Sequence, residues 1–324
     1  MRLIQNLEST TMTKYELKSM IKNEMALLKG RLGSINLMLS GGVDSGTLAG
    51  LSDVDRVFTV RLPYGPKHDE FGDVLATVKH LRIDDKLTVV DLDEGRFDEA
   101  MQKAVKAIGR PIPHFNIFPL YILFEQMSKE GITDVVCGDG PDETMCGYTR
   151  HLIMWYLYNS YSLEAFSEYK GMIGKLLETV QVSYSKLINK DFLTVSKIFL
   201  ETSLNGGNLL DCMCATDMRL MRPDMDDMSD SIARIFEIKI HRPYQESAID
   251  SLMFHLPPEL KIKDFEYGKY LLRQVADEVL PKHIAWRKQK IGGPLVPVNK
   301  IKGWDLEPFD KSMYLKYQED ILNG

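Results

Sequence analysis

The sequence predicts an α/β protein with a doubly wound, mostly parallel sheet and a mainly helical C-terminal part. Over residues 35–150, short apolar runs alternate with helix-length segments, and this β-α-β-α order is typical of a parallel sheet covered by helices. Residues 151–235 are rich in Tyr, Leu and Met and carry few strand signals. We therefore expect one domain, 1–324, in which a helical segment (1–34) precedes the α/β core and residues 151–324 form the helical part.

The N-terminal segment contains one predicted helix. Residues 1–12 show no apolar periodicity, so we expect an irregular start there. From Thr13 to Gly30, apolar side chains recur at helical spacing, with Thr13 as the cap and Gly30 as the stop. Further along the chain, strands are predicted at 35–39, 54–60, 86–90 and 134–137, and helices at 44–51, 69–81, 97–108 and 120–127.

The turn Ser40-Gly41-Gly42 follows the first predicted strand, and a helix opens directly after it. Glycines permit positive φ and leave room for a ligand. The free N–H groups at the start of a helix, together with the positive end of its dipole, attract an anion. This stretch therefore predicts a pocket for pyrophosphate.

The segment from Ser40 to Ser45 is not a Walker A loop, because no lysine follows its glycines. It matches the PP-loop signature S-G-G-x-D-S instead. Enzymes that carry this signature cleave ATP between the α and β phosphates and adenylate a substrate oxygen. A glycine-rich turn that binds nothing is the alternative, but it does not explain Asp44. A bound Mg²⁺ does explain it, because Mg²⁺ takes carboxylate oxygens beside phosphate oxygens.

A second loop with acids and glycines follows the fourth predicted strand. In a parallel α/β sheet the ligand lies at the carboxyl ends of the strands. We therefore expect Asp44 and Asp142 to share one Mg²⁺ on the pyrophosphate, and Val60 to lie near the nucleotide base. The alternative for Asp139, Asp142 and Glu143 is a solvated acidic turn that caps a helix.

From about residue 35 to residue 300, the chain resembles the synthetase domain of the asparagine synthetase family, which also includes β-lactam synthetases. The family's second motif is roughly G-E-G-S-D-E-L-F-G-G-Y, and it is matched here by Gly138, Gly140, Asp142, Glu143, Gly147 and Tyr148. The resemblance implies ATP and Mg²⁺, with Asp44 and Asp142 as the metal ligands. It also implies that Gly138 and the Met38 backbone lie against the nucleotide.

Two positions of this second loop depart from the family pattern. Asp139 stands where the family has glutamate, and Pro141 stands where it has serine. In the family the first of these positions faces the acceptor, so the shorter acid at Asp139 predicts an altered second substrate. Similarity returns at Leu256–Lys261 and at Gly268–Arg273, where the family has a helix that closes the site.

The basic stretch Trp286–Leu295 resembles the loop that carries the family's catalytic lysine, usually R-x-K-x-G-F. Lys290 is the best match, because Gly292 follows two residues later, although Gly293 replaces the phenylalanine. Lys288 is the second choice. A solvated basic run is the alternative for either lysine.

The resemblance implies an ATP-dependent amide-forming ligase. In its reaction, a small, amino-acid-like carboxylate attacks the α-phosphorus of ATP and pyrophosphate leaves. Ammonia or an amine then attacks the acyl-adenylate, which gives an amide and AMP. Lys290 holds the α-phosphate and the oxyanion, and Glu143 or Asp139 orients the amine or takes its proton. The residues that cradle the pyrophosphate are Ser40, Gly41, Gly42 and Ser45.

The source of the amine stays open. Glutamine-dependent asparagine synthetases begin with a glutaminase domain whose nucleophile is a cysteine directly after the initiator methionine. Here residue 2 is Arg and only residues 1–39 precede the PP-loop, so we expect no glutaminase domain. The amine then comes from free ammonia, a different amine, a separate glutaminase chain or the substrate itself. Aspartate as the acceptor is the default of the family.

Composition narrows the class of protein. The net charge of −6 argues against a nucleic-acid binder, which is usually basic. No apolar run approaches the ~18 residues of a membrane span, and the N-terminus lacks the apolar region of a signal peptide. We therefore expect a cytoplasmic protein with no membrane partner. Cys212 and Cys214 are too close together for the usual zinc spacing, so we expect neither zinc nor a structural disulfide.

Two other functions fit parts of the sequence. One is another PP-loop enzyme that modifies a nucleobase or a nucleic-acid component, although the second loop and the lysine loop argue against it. The other is a nucleotide-binding partner that has lost catalysis. The departures at Asp139, Pro141 and Gly293 favour this last possibility, and the presence of Asp44 and Asp142 opposes it.

Overall fold

The computed structural model describes residues 2–62, 70–112, 117–165, 181–182, 184–186, 188–288 and 311–323. The chain divides into two compact units. The first, here called the sheet unit, comprises Ile21–Gly138, Asp226–Pro243 and Ala276–Gly324. The second, here called the helical unit, comprises Met1–Met20, Asp139–Met225 and Tyr244–Val275.

The helices and strands of the described residues have the following bounds. The helices are α1 (Arg2–Leu32), α2 (Val43–Leu51), α3 (Phe71–Leu81), α4 (Glu94–Ile108), α5 (Phe118–Lys129), α6 (Pro141–Thr144), α7 (Thr149–Ala165), α8 (Phe192–Leu204), α9 (Leu209–Thr216), α10 (Arg222–Ile235), α11 (Ser247–Phe254), α12 (Pro258–Lys261), α13 (Tyr270–Ala276), α14 (Lys282–Ala285) and α15 (Lys311–Asn323). The strands are β1 (Asn36–Met38), β2 (Arg56–Arg61), β3 (Leu87–Asp91), β4 (Asp134–Val136), β5 (Lys239–His241), β6 (Ile262–Lys263) and β7 (Tyr267–Gly268). None of the helices described combines the length and apolar character needed to cross a membrane.

Five strands of the described chain form one sheet in the order β3-β2-β1-β4-β5, and each neighbouring pair is parallel. This arrangement confirms the predicted doubly wound parallel sheet. The chain leaves β1 through β2 to β3 on one side, and β4 and β5 lie on the other side. The strand order therefore reverses between β1 and β4, and open α/β sheets bind ligands beside the carboxyl ends of the strands at such a point.

The prediction of an irregular start at residues 1–12 is wrong, because α1 begins at Arg2. Residues 2–12 contain neither glycine nor proline. Extending an existing helix fixes one residue for each new hydrogen bond, so the helix continues without an apolar stripe of its own there. The helix also continues past its predicted end at Gly30, to Leu32. Gly33, with φ +77°, follows the last helical residue and donates its N–H to the Lys29 carbonyl at 2.9 Å.

The four predicted strands and the predicted core helices are present, but the sequence analysis missed β5. This strand pairs with β4 through Asp134–Lys239 and Val136–His241. It is only three residues long, and its exposed Lys239 and buried His241 hide the apolar alternation that identifies a strand. A hydrogen bond between His241 Nε2 and Asp134 Oδ1, 2.8 Å long, ties its end to β4.

The sheet unit is built around fully buried strand residues, among them Leu37 of β1 and Phe58 of β2. Helix α2 packs closely against the segment before α14. A Cβ at Gly46 would lie 2.9 Å from Leu280 Cδ1, so a side chain there would require Leu280 to move. Leu280 also belongs to a buried cluster with Val43, the first residue of α2. These contacts fix the position of α2 after β1.

A buried carboxylate organises the polar interior of the helical unit. The Asp217 side chain is fully buried and accepts hydrogen bonds from Arg150 Nη2 (2.5 Å) and from the Tyr184 hydroxyl (2.8 Å). His151 Nε2 lies 3.0 Å from Asp217 Oδ2. Burial raises the pKa of the Asp217 carboxyl, but the hydrogen bond from His151 and the charges of His151 and Arg150 outweigh it. The pKa therefore lies below its ordinary value of 3.8.

Cys137, Cys146, Cys212 and Cys214 are all buried, and all are reduced thiols. Cys146, Cys212 and Cys214 belong to the apolar core of the helical unit. The Sγ atoms of Cys146 and Cys214 lie 3.5 Å apart.

We expect Asp217→Asn to lower the free energy of unfolding by about 3 kcal/mol, because it leaves the half-buried Arg150 guanidinium without its counter-charge. Urea denaturation at pH 7 measures this. A carboxylate with a lowered pKa stabilises the fold above its ordinary pKa, and this contribution is lost as the pH falls through the lowered value. The difference in free energy of unfolding between the variant and the wild type should therefore shrink only in strong acid.

The matched control for this prediction is Asp224→Asn, which breaks the exposed ion pair between Asp224 and Lys190 in the same unit. Exposed pairs contribute roughly 0–1 kcal/mol. If the two variants lost equal free energies of unfolding, the role given to Asp217 would be contradicted.

Candidate active site

The turn between β1 and α2 forms an uncapped helix start. Gly42 is the N-cap of α2 and makes no side-chain capping hydrogen bond. The loop is held internally: Ser40 N donates to Ser45 Oγ (3.2 Å), and Gly42 N donates weakly to Ser40 Oγ (3.3 Å). The first N–H groups of a helix have no partner within it. This turn therefore offers main-chain donors and the positive end of the α2 dipole to an anion.

Close packing confines this loop on two sides. Gly41 has φ +80°, and a Cβ there would lie 2.8 Å from the Glu70 carbonyl oxygen. At Gly138, two residues after the end of β4, a Cβ would lie 2.7 Å from Ser45 N. A side chain at either position would displace main chain. The end of β4 and the start of α2 are thus in contact at the point where the strand order reverses.

The sheet unit gathers the predicted nucleotide-binding residues at this edge. Asp44 lies in the first turn of α2, where a carboxylate also interacts favourably with the helix dipole. Met38 is the last residue of β1, and Val60 lies near the end of β2, where it pairs with Val90 of β3. The nearness of Val60 to a nucleotide base stays a prediction.

The second predicted loop belongs to the helical unit. Gly140, with φ +126°, is the N-cap of the short helix α6, whose first turn contains Asp142 and Glu143. Asp139 is exposed. Asp142 Oδ1 lies 2.8 Å from the ammonium nitrogen of Lys269.

Lys269 is a site residue that the sequence analysis missed. Its side chain is only 5% exposed, and its backbone N–H donates to the Met145 carbonyl at 2.8 Å. The residue has φ +56°, an uncommon conformation for a side chain other than glycine. The stretch Gly268–Arg273 stood out in the sequence, but nothing in its local pattern links Lys269 to an acid so far away in the chain.

Glu143 is the second acid of the α6 turn and is only 7% exposed. Burial, reinforced by the charge of Asp142, raises the pKa of its carboxyl to about 8. The hydroxyl of Tyr148 donates a hydrogen bond to Glu143 Oε1, and this bond and the charge of Arg222 work in the opposite direction. Glu143 is therefore mainly protonated at pH 7 and is placed to exchange a proton near neutral pH.

The predicted lysine loop lies mostly beyond the described residues. Lys288 is exposed, and Lys290 falls outside the residues that the structure describes. The choice between the two lysines stays a prediction.

The donor chemistry of the two loops fits Mg²⁺. Asp44 and Asp142 both offer carboxylate oxygens, the hard ligands that this ion takes, usually one or two at a time beside substrate phosphates. The contact with Lys269 shows that Asp142 already attracts a cation. Asp44 and Asp142 belong to different units, so their sharing of one ion stays a prediction.

We expect the stability of the protein to fall as the pH rises from about 4.5 to 8, because the folded state keeps the Glu143 proton over this range and the unfolded state loses it. Glu143→Gln removes this dependence. Its gain in melting temperature over the wild type should therefore grow from pH 5 to pH 8 and then level off.

The matched variant is Tyr148→Phe, which removes a hydrogen bond to the Glu143 carboxyl that favours its ionised form. In this variant the decline in stability should extend to higher pH than in the wild type. A gain for Glu143→Gln that is the same at every pH would show that Glu143 ionises normally.

Comparison with known proteins agrees with this geometry. A family model described as asparagine synthase matches residues 32–314. The chain is 26% identical to "Putative asparagine synthetase (glutamine-hydrolyzing) 1" of Methanocaldococcus jannaschii over 287 residues, which cover 83% of this chain and 47% of that protein. It is 22% identical to asparagine synthetase (glutamine-hydrolyzing) 1 of Bacillus subtilis over 316 residues, 83% of this chain and 48% of that protein.

A second Methanocaldococcus jannaschii protein, with the same description and the number 2, is 28% identical over 198 residues, 57% of this chain and 35% of that protein. The chain thus spans about half the length, or less, of the curated relatives it matches.

Proposed function

The chain belongs to the asparagine synthase family, and from this premise we propose that it is an ATP-dependent, AMP-forming ligase that joins a substrate carboxylate to ammonia or an amine. The observation that carries the proposal is the contact between Gly138 and the N-terminus of α2. It confines an uncapped helix start beside a glycine turn, and such a start binds phosphate groups.

In the first proposed step, a carboxylate oxygen attacks the α-phosphorus of ATP. The bond from that phosphorus to the bridging oxygen breaks, and pyrophosphate leaves. The main-chain N–H groups of the loop and the hydroxyls of Ser40 and Ser45 bind the leaving group, while Lys290 holds the α-phosphate. Donors fixed in advance around developing negative charge are usually the largest catalytic term.

Mg²⁺, held by Asp44 and Asp142, would supply positive charge that neutralises the leaving pyrophosphate. The residues of the chain do the rest of the positioning. Lys269 holds the Asp142 carboxylate on one side. Gly41 and Gly138 let neighbouring main chain pack directly against the loop, because neither has a side chain.

In the second proposed step, ammonia or an amine attacks the acyl carbon, AMP leaves and an amide forms. The attacking nitrogen must lose a proton. Glu143 is mainly protonated at pH 7, so it serves first as a hydrogen-bond donor. Asp139 is exposed and follows Gly138 directly, and we assign to it the orientation of the amine and the first proton transfer.

The acceptor in this proposal is a small, amino-acid-like carboxylate. Aspartate is the first acceptor to test, because the relatives carry the name asparagine synthetase. The names of the relatives also include glutamine hydrolysis. Ammonia, a different amine and a separate glutaminase chain are therefore all candidate nitrogen sources, and the reaction mixture must offer each of them.

Exchange of labelled pyrophosphate into ATP tests the adenylation step. The assay contains Mg²⁺ and a panel of amino acids and other carboxylic acids, with and without ammonia. Exchange that depends on one acid would support the proposal and identify the acceptor. A protein that binds no ATP in direct titration would overturn it. ATP binding without exchange over the whole panel would favour a partner that has lost catalysis.

We expect Asp44→Asn and Asp142→Asn each to abolish Mg²⁺-dependent turnover, a loss of at least about 100-fold, because each removes a carboxylate from the metal. The measurement is AMP formation as a function of Mg²⁺ concentration. Asp85→Asn, a change of an exposed acid before β3, is the control and should leave the rate unchanged. Normal activity in either of the first two variants would remove the shared metal from the proposal.

We expect Lys290→Ala to leave ATP binding measurable and to stop AMP formation, because this lysine acts on the charge that develops during the reaction. Lys288→Ala is the matched comparison and should retain activity. If the two results are reversed, the catalytic lysine is Lys288 and the match to the lysine loop is displaced by two residues.

A further inference from the structure

Arg287 of the sheet unit ends a segment that packs against the start of α2. Leu280, Ile284 and Ala285 form a buried cluster with Val43, the first residue of that helix. Arg287 N then donates to the Ile284 carbonyl at 3.4 Å. Arg287 thus directly follows a segment that packs against the helix whose N-terminus forms the proposed phosphate site.

The Arg287 guanidinium donates to two carboxylates at the start of α3. Its Nη2 donates to Glu70 Oε1 and its Nη1 donates to Asp73 Oδ2. The three side chains are 20%, 8% and 23% exposed in the order Arg287, Glu70, Asp73. His283 Nε2 lies 3.9 Å from Asp73 Oδ1 and faces the same cluster. Two carboxylates so largely removed from water destabilise the fold strongly when the cation that pairs with them is removed.

The two acids stand directly against the glycine turn. A Cβ on Gly41 would lie 2.8 Å from the Glu70 carbonyl oxygen, 2.9 Å from Glu70 Cβ and 3.3 Å from Asp73 Cβ. The loop that offers its N–H groups to pyrophosphate is therefore lined on one side by two negative side chains. Two carboxylates on residues beside an anion site add negative potential there, and like charges repel more strongly where the effective dielectric constant is low.

We propose that Arg287 is a positioning residue whose charge offsets part of the negative charge of Glu70 and Asp73, so that the glycine turn accepts the polyphosphate of ATP. This inference rests on the proposed function, because it takes ATP as the ligand of the loop. Arg287 itself does not contact the reacting atoms. It acts through the two acids that line the loop.

The test is direct titration of ATP and of adenosine into the full-length protein by calorimetry at low salt. We expect Arg287→Ala to weaken ATP binding by about tenfold or more, because two carboxylates then face the phosphates without a counter-charge. Adenosine carries no phosphate, and its binding should be unchanged. The loss for ATP should shrink at high salt, because salt screens partly exposed charges.

The reverse substitution separates charge from mere support of the fold. In Glu70→Gln/Asp73→Asn, Arg287 keeps its place beside neutral side chains, and we expect ATP to bind at least as tightly as to the wild type. If Arg287 served only to support the loop, this double variant would also bind ATP more weakly. Adding both changes to Arg287→Ala should restore the affinity to within about threefold of the wild type.

The matched control is Arg56→Ala, which breaks another arginine–carboxylate pair of the sheet unit, with Glu130, at the amino end of β2. It should leave ATP binding unchanged. An Arg287→Ala protein that binds ATP as tightly as the wild type overturns the inference and leaves the proposed function standing. A wild-type protein that does not bind ATP overturns both. If Arg287→Ala does not fold, the double variant alone decides, and weaker ATP binding there overturns the inference.

Discussion

The contact between Gly138 and the Ser45 backbone nitrogen is the constraint on which the site of the sheet unit depends. It joins the end of β4 to the start of α2, the two elements between which the strand order reverses. A side chain at Gly138 would displace main chain, and α2 also packs against Leu280 at Gly46. These contacts hold the N-terminus of α2 at the carboxyl edge of the sheet.

A second constraint is the balance of charge around the partly and largely buried acids of each unit. Glu70 and Asp73 share the guanidinium of Arg287, and Asp142 contacts Lys269. Glu143 has no such strong partner and instead keeps its proton, because burial raises its pKa to about 8. Each of these carboxylates is thus paired with a cation or neutral at pH 7. Largely buried acids that were neither would cost far more than they contribute.

How much the sequence predicts depends on whether a feature is local. The glycine turn, β1 to β4 and their helices were predicted because apolar periodicity and turn chemistry are properties of neighbouring residues. The start of α1 and the short strand β5 were missed because neither has such a pattern. Lys269 and Arg287 lie in stretches that resemble the family, but the acids that they contact could not be identified from the sequence. Arg287 meets its partners across 214 and 217 residues of chain, and only the folded structure brings them together.

The burial of each acid shows which of the proposed site positions the fold constrains. Asp142 contacts a lysine that is only 5% exposed, so replacing it removes a counter-charge from a nearly buried ammonium and destabilises the helical unit. Glu143 is equally confined by burial and by Tyr148. Asp139, in contrast, is exposed. Asp142 and Glu143 are thus confined by the fold, whereas the residue proposed to meet the second substrate lies at the surface.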